Sequence, residues 1–481
     1  MNRRMILYMV GTVIKLEAAL MLLPAVVCLF YKESNVLYFA YSIIIALASG
    51  FAMTVIAKPG NKVIYAREGF VIVALAWIAL SAVGALPFYL SGEIPSYIDA
   101  FFETVSGFTT TGASILTNVE ALSKGMLFWR SFTHWVGGMG VLVFMMAIVP
   151  SLSDRSIHIL RAEVPGPVVG KLVPRITQTT RILYIIYIAL TVIEIVLLLL
   201  GGMPVFDSVV HAFGTAGTGG FGIKADSIAS YSPYLQWVIT VFMFLFGVNF
   251  NLYYLILIKK FRSVLKSTEL WFYCAIVLIS TLTISVNIRS MYPSIGETIR
   301  HAAFQVSSII TTTGYATTDF DTWPLFSKSV ILLLMFIGAC AGSTGGGIKV
   351  SRIVLLVKSI RRELKRLLHP RSVGVVRFEG KKVDDSTVNS VSSYLAIYTC
   401  FFCVIFLVVS IFESYNLETV ISSVASCFNN IGPAFAQAGP TLSYSGFTAV
   451  SKIVLSVAML LGRLEIYPII LTLSPSMWSK K

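Results

Sequence analysis

Thr311-Thr312-Thr313-Gly314-Tyr315 separates a short apolar segment, residues 297–310, from a longer one that begins near Pro324. A Thr-Thr-Gly-Tyr run does not continue a membrane-spanning helix. It presents successive carbonyls and hydroxyls, and its glycine reaches backbone angles that other residues avoid. Non-helical backbone persists at membrane depth only where protein buries it or where it lines a watery path. Oxygens in such a place can replace the hydration shell of a cation. A plain polar turn between two helices would read the same way in isolation, but three similar stretches elsewhere in the chain decide against it.

The chain has 481 residues, 56% hydrophobic and 12% charged, against about 25% charged in soluble domains. This composition predicts an all-α polytopic membrane protein with no large soluble domain. A net charge of +14 suggests nucleic acid, but its distribution argues against that partner. Of 37 Lys and Arg, 27 fall in six patches, at 1–5, 57–68, 151–181, 259–266, 349–382 and the C-terminal end. The predicted topology puts all six on one side, which the positive-inside rule makes cytoplasmic, together with both termini. The first apolar run, to Phe30, is interrupted by Lys15 and Glu17 and lacks a clear small-residue cleavage site, so it reads as a retained helix. Cys400-x-x-Cys403 lies inside an apolar helix with no second pair and reads as two inert thiols.

Two helices, roughly 5–31 and 36–57, come first. One pattern then repeats four times: apolar helix, half-length segment, Gly-centred turn, apolar helix. The turns are Thr109-Thr110-Thr111-Gly112-Ala113, Gly217-Thr218-Gly219-Gly220-Phe221, Thr312-Thr313-Gly314-Tyr315 and Asn430-Ile431-Gly432-Pro433. The second apolar helices are expected at about 125–150, 233–258, from Pro324 onward, and at 449–474. This divides the chain into two extra N-terminal helices (1–67) and four repeats (68–180, 181–267, 268–389 and 390–481). Half-segments of 10–14 apolar residues cannot cross ~30 Å of hydrocarbon and read as re-entrant helices. Pro95, Pro204 and Pro293 open three of them, and Asp99, Asp207, Glu297 and Glu418 sit in or near their first turns, where acids complement the positive helix end. The negative ends then converge just before the turns and favour a cation there.

Several motifs now name a family: Ser106-Gly107-Phe108-Thr109-Thr110-Thr111-Gly112-Ala113, Trp135-Val136-Gly137-Gly138-Met139-Gly140, Asn249-Phe250-Asn251, residues 342–349 (GSTGGGIK) and residues 462–468 (GRLEIYP). With four helix–pore-loop–helix repeats behind two extra helices, the chain resembles the Trk/Ktr/HKT superfamily of potassium transporters over essentially its whole length, and most closely the bacterial Trk-type pore subunit. The resemblance implies a potassium-channel-like fold around a pseudo-four-fold axis and K+ bound in one filter and transported through it. It implies filter residues Thr110, Thr111, Gly112, Gly217, Thr218, Gly219, Thr312, Thr313, Gly314, Asn430, Ile431 and Gly432, with glycine at all four filter positions, the pattern that goes with potassium preference. Ala216-Gly217 and Ala434 depart from the family pattern without touching those glycines.

Residues 338–347 cannot continue a helix. Ile348 between Gly347 and Lys349 argues against a nucleotide-binding loop, since the Gly-Lys-Ser/Thr ending is missing. The resemblance implies an intramembrane gating loop that includes Gly338, Gly342, Ser343, Thr344, Gly345, Gly346 and Gly347. It also implies contact between that loop and Arg463, an intramembrane cation whose alternative partner is Glu465. It further implies a cytoplasmic TrkA-like nucleotide-binding regulatory ring docked on the basic face, a homodimer, and a bacterial inner membrane. Anionic lipid suits the same basic residues. His134, His158, His211, His301 and His369 have no metal spacing, and no catalytic cluster points to an enzyme. Two other transport readings stay open: a symporter coupled to protons or sodium, with Glu465 and Glu17 as thin candidates, and the ion-binding subunit of an ATP-driven pump.

Overall fold

The computed structural model describes residues 1–60, 64–140, 176–371 and 374–478. Residues 141–150 of the expected helix 125–150, most of the basic stretch 151–181, and His158 lie outside the described residues. Among the described residues, six helices are long and apolar enough to cross a membrane: Arg3–Phe30, Val36–Ala57, Arg67–Ser91, Thr180–Leu200, Thr268–Asn287 and Asp385–Phe412. Their large apolar side chains lie exposed at helical spacing: Ile185, Ile188, Val192 and Val196 on one, Leu278, Leu282 and Val286 on another, Val404, Leu407 and Ile411 on a third. Such stripes face hydrocarbon in a polytopic all-α membrane protein.

Inside this shell lie four short helices, Tyr97–Phe108, Val205–Gly217, Ile295–Ile310 and Leu417–Phe428. Their last two turns are buried almost without exception. Ser96, Ser294 and Asn416 cap three of them through side-chain oxygens, and Pro204 stands at the cap of the fourth. The first-turn acids are each engaged: Asp99 with Lys452 at 2.7 Å, Glu418 with Lys328 at 2.6 Å, Glu297 with Arg300 at 3.8 Å, and Asp207 with the Tyr231 hydroxyl at 2.9 Å. Partial burial and then the Asp207 carboxylate hold the Tyr231 hydroxyl, in a loop outside the spans, above its ordinary pKa.

The second helices of the repeats differ from expectation. The helix expected over 233–258 is two pieces, Pro233–Phe246 and Phe250–Leu257, bent by 91°, and that over 449–474 is Ala449–Arg463 and Tyr467–Leu473, bent by 118°. The first break falls at Gly247-Val248-Asn249, where Asn249 Oδ1 caps the new helix by accepting from the Asn251 N–H. The second places Glu465 at φ 54° and the buried, β-branched Ile466 at φ 69°, angles of high steric cost that persist only when surroundings enforce them. A bidentate pair from Arg352 to Glu465 supplies part of that enforcement. The third repeat breaks between Leu325–Phe336 and Val350–Leu368, and a two-residue-per-strand hairpin, Arg377–Phe378 with Lys381–Lys382, follows.

The N-terminal helices cross through small residues. A Cβ on Gly11 would lie 2.9 Å from the Gly50 carbonyl, and one on Gly50 would lie 2.8 Å from the Gly11 carbonyl. This is the close approach that small residues permit in membranes. Gly50→Leu should cost about 1–3 kcal/mol by overpacking and lower the melting temperature in detergent. Gly296→Ala, where nothing lies within 4 Å of the added atom, should leave it unchanged or slightly raised.

Candidate functional site

All four short helices end in the same backbone figure. One residue turns left-handed: Thr110 (φ 56°), Thr218 (56°), Thr312 (59°) and Asn430 (58°). The next amide reaches back five residues, Thr111 to Ser106, Gly219 to Gly214, Thr313 to Ser308 and Ile431 to Ser426, at 2.8–2.9 Å. A left-handed glycine follows: Gly112 (82°), Gly220 (75°), Gly314 (84°) and Gly432 (104°). The equivalent triplets are thus Thr110-Thr111-Gly112, Thr218-Gly219-Gly220, Thr312-Thr313-Gly314 and Asn430-Ile431-Gly432. In the second turn this corrects the expected register by one residue. Gly217 is the last residue of its helix, Gly219 stands where the other turns have Thr111, Thr313 and Ile431, and Gly220 is the counterpart of Gly112. Gly-Thr-Gly-Gly offers two adjacent glycines, and only the backbone angle distinguishes them.

The turns interlock in a closed ring. A Cβ on Gly112 would collide with the Gly219 carbonyl oxygen, one on Gly220 with that of Thr313, and one on Gly314 with that of Ile431. One on Gly432 would lie 2.7 Å from that of Thr111. Each glycine therefore leaves room for the neighbouring turn's carbonyl. All four glycines line one cavity of about 200 Å³, with Arg130 and Lys224 also in its wall.

Side chains behind the ring fasten it. Arg130 pairs with Glu103 at 2.5 Å, donates to the Gly222 carbonyl at 2.9 Å, and lies 3.5 Å over the Phe221 ring. Glu103 accepts from Ser114 Oγ and the Ile115 N–H at 3.0 and 2.9 Å. The Tyr444 hydroxyl donates to the Gly432 carbonyl at 2.9 Å, and the Tyr315 hydroxyl donates to the His211 and Phe221 carbonyls at 3.2 Å. Asn430 Nδ2 links its own turn to Thr111 Oγ1 at 3.0 Å. Sequence reasoning missed Glu103, Arg130 and Tyr444. Two opposite charges buried in otherwise apolar segments were the available signal for the first two.

The Gly-rich stretch packs against the helix ends just before the ring. The Gly346 N–H donates to Thr312 Oγ1 at 2.6 Å. Cβ atoms on Gly345 and Gly346 would lie 2.9 and 2.6 Å from the Thr311 and Asn429 carbonyls. The Gly342 carbonyl accepts from the Phe250 N–H at 3.0 Å, the Thr344 hydroxyl donates to Phe246, and Ser343 Oγ donates to Cys340. Gly338 and Gly347 approach each other across the base of the loop. Buried Lys349 donates to the Gly345 and Gly346 carbonyls. Arg463 joins three elements: it donates to Thr344 O (2.8 Å), to Thr110 Oγ1 (3.1 Å), and to the Gly137 and Gly138 carbonyls (2.6 and 2.8 Å). Glu465 is taken by Arg352 instead. No group of three or more His, Cys, Asp or Glu that could hold a metal occurs among the described residues.

The sequence model of one family, described as "TrkH: Cation transport protein", matches residues 33–481. The Trk system potassium uptake protein TrkG of Escherichia coli is 36% identical, over 99% of this chain and 98% of its own. The TrkH protein of the same organism is 35% identical, over 99% and 100%. The crystal structure of the potassium transporter TrkH from Vibrio parahaemolyticus superposes with a TM-score of 0.89 at 33% identity, covering all of both chains.

The buried pair generates a test of the scaffold. Glu103→Ala should cost about 3–5 kcal/mol by leaving Arg130 unpaired, seen as a large fall in melting temperature. The double change Glu103→Gln with Arg130→Met should cost clearly less than the two single changes summed.

Proposed function

The chain belongs to the TrkH family of cation transport proteins, and on that premise we propose that it takes up potassium through the centre of the four-turn ring. It is a transporter and not an enzyme, as the named relatives are. The observation that supports the reading is the closed cycle of glycine-to-carbonyl approaches, in which each turn's glycine meets a backbone oxygen of a neighbouring turn. There a potassium ion exchanges its water shell for Thr110–Gly112, Thr218–Gly220, Thr312–Gly314 and Asn430–Gly432. Four helix C-terminal ends pointing at the same place add favourable negative potential. The membrane potential supplies about 2.3 kcal/mol per charge per 100 mV, enough to drive accumulation without chemistry in this chain.

The loop 338–347 is the gate in this reading. It lies against the inner end of the ring, and Arg463 both pins it and places a positive charge beside the path. The basic face around residues 358–382 serves as the docking side for a nucleotide-binding regulatory ring, in a homodimer in a bacterial inner membrane with that face cytoplasmic. One observation favours proton coupling as a second reading: Glu17 is fully buried and neither of its carboxylate oxygens has a hydrogen-bond partner.

In proteoliposomes, potassium and rubidium should enter much faster than sodium without an imposed pH gradient. A strict need for that gradient would favour coupling instead. Gly112→Ser should cut potassium flux roughly tenfold or more, the effect of about 1.4 kcal/mol in barrier, since its side chain meets the Gly219 carbonyl. Arg463→Ala should raise flux at equal expression, and unchanged or lower flux would remove Arg463 from the gate.

A further inference from the structure

The stems of the Gly-rich loop meet in a single parallel bridge, Ile337 with Ile348, in which the Gly338 N–H donates to Ile348 O at 2.9 Å and the Val350 N–H to Ala339 O at 3.2 Å. One side chain from another helix holds both stems as well. Glu269 Oε1 accepts from the Ala341 N–H at 2.7 Å and from the Ser351 N–H at 3.0 Å. Glu269 lies in the first turn of Thr268–Asn287 and is 4% exposed. One acceptor oxygen shared by two buried amides is a strong fastening, and its loss leaves both donors unsatisfied.

The same helix start is gripped from the other side. Glu379 Oε1 accepts from both Ser267 Oγ and the Glu269 N–H at 3.1 Å. Glu379 (φ 49°) and Gly380 (φ 74°) are the two tip residues of the hairpin, whose paired positive angles suit a tight two-residue turn. The hairpin is tied back to the helix that follows the loop, since Lys358 Nζ donates to the Arg377 carbonyl at 2.8 Å. A continuous series of hydrogen bonds thus runs from the basic hairpin, through the helix start, to both ends of the loop.

We propose that Glu269 is the latch of the loop and that the hairpin, through Glu379, sets the position of that latch. Displacing the hairpin would release the helix start and then the stems. The inference rests on the reading of 338–347 as the gate. Glu269 is a positioning residue, acting through the loop and not on the ion.

Amide hydrogen exchange on the full-length protein in nanodiscs tests this separately from transport. Glu269→Ala should speed exchange in peptides covering 338–351 about tenfold or more, with peptides over 106–114 unchanged. Glu269→Gln, which keeps an acceptor oxygen, should stay near wild type. Glu379→Ala touches neither stem, yet should speed exchange in the same peptides. Both alanine variants should raise potassium leak without altering preference over sodium. Wild-type exchange in 338–351 for Glu269→Ala, or faster exchange spread evenly over all helices, would overturn the latch. Unaltered 338–351 peptides in Glu379→Ala would overturn the hairpin's part, and that variant decides alone if Glu269→Ala does not fold. Absence of potassium flux in the unmodified protein would instead refute the transport reading, leaving the exchange result to stand by itself.

Discussion

The approach of a carbonyl oxygen to a glycine that has no Cβ, repeated four times around a closed cycle, is the contact on which the rest of the molecule depends. Each turn needs its neighbour's glycine, so no turn can adopt its geometry alone. Left-handed threonine and asparagine residues ahead of each glycine are unfavourable by themselves, roughly 1–3 kcal/mol apiece. They persist because the amide that follows bonds five residues back and because the surrounding side chains leave no alternative. The short helices end where they do for the same reason: their last carbonyls are spent on the turn.

That constraint spreads outward. Backbone that is neither helix nor closed barrel has to be satisfied internally at membrane depth, and the hydroxyls of Tyr315 and Tyr444, with the Glu103–Arg130 pair, do so from behind the ring. The broken second helices follow the same logic. Asn249, Arg352 and Arg463 each satisfy or brace backbone freed by a break. Polar groups in this molecule cluster at interruptions of helices, while the uninterrupted spans turn leucine, isoleucine and valine to lipid.

Much of this was legible in the sequence because it rests on local chemistry. Half-length apolar segments, prolines and acids at their starts, and Gly-centred turns at their ends mark out the four short helices. The one-residue shift in the second turn was not legible, since Gly219 and Gly220 are both compatible with a tight turn and only contact with Thr313 selects between them. The sharp bends at 247–249 and 464–466 escaped for a related reason. Gly247 and Asn249, and Arg463, Glu465 and Pro468, mark interruptions without showing a change of direction, and Ile466 is a poor residue for its own backbone angle. Partners far apart in the chain, such as Asp99 with Lys452 or Arg352 with Glu465, arise from the packing of separate repeats and leave no mark on spacing.

The central claim is that the ring holds a dehydrated monovalent cation. Anomalous diffraction from crystals of this protein grown in rubidium measures that directly. The account requires a rubidium peak on the axis, among the carbonyls of Thr111, Gly219, Thr313 and Ile431. Rubidium found only on the outer rim, with none between those four carbonyls, would contradict it.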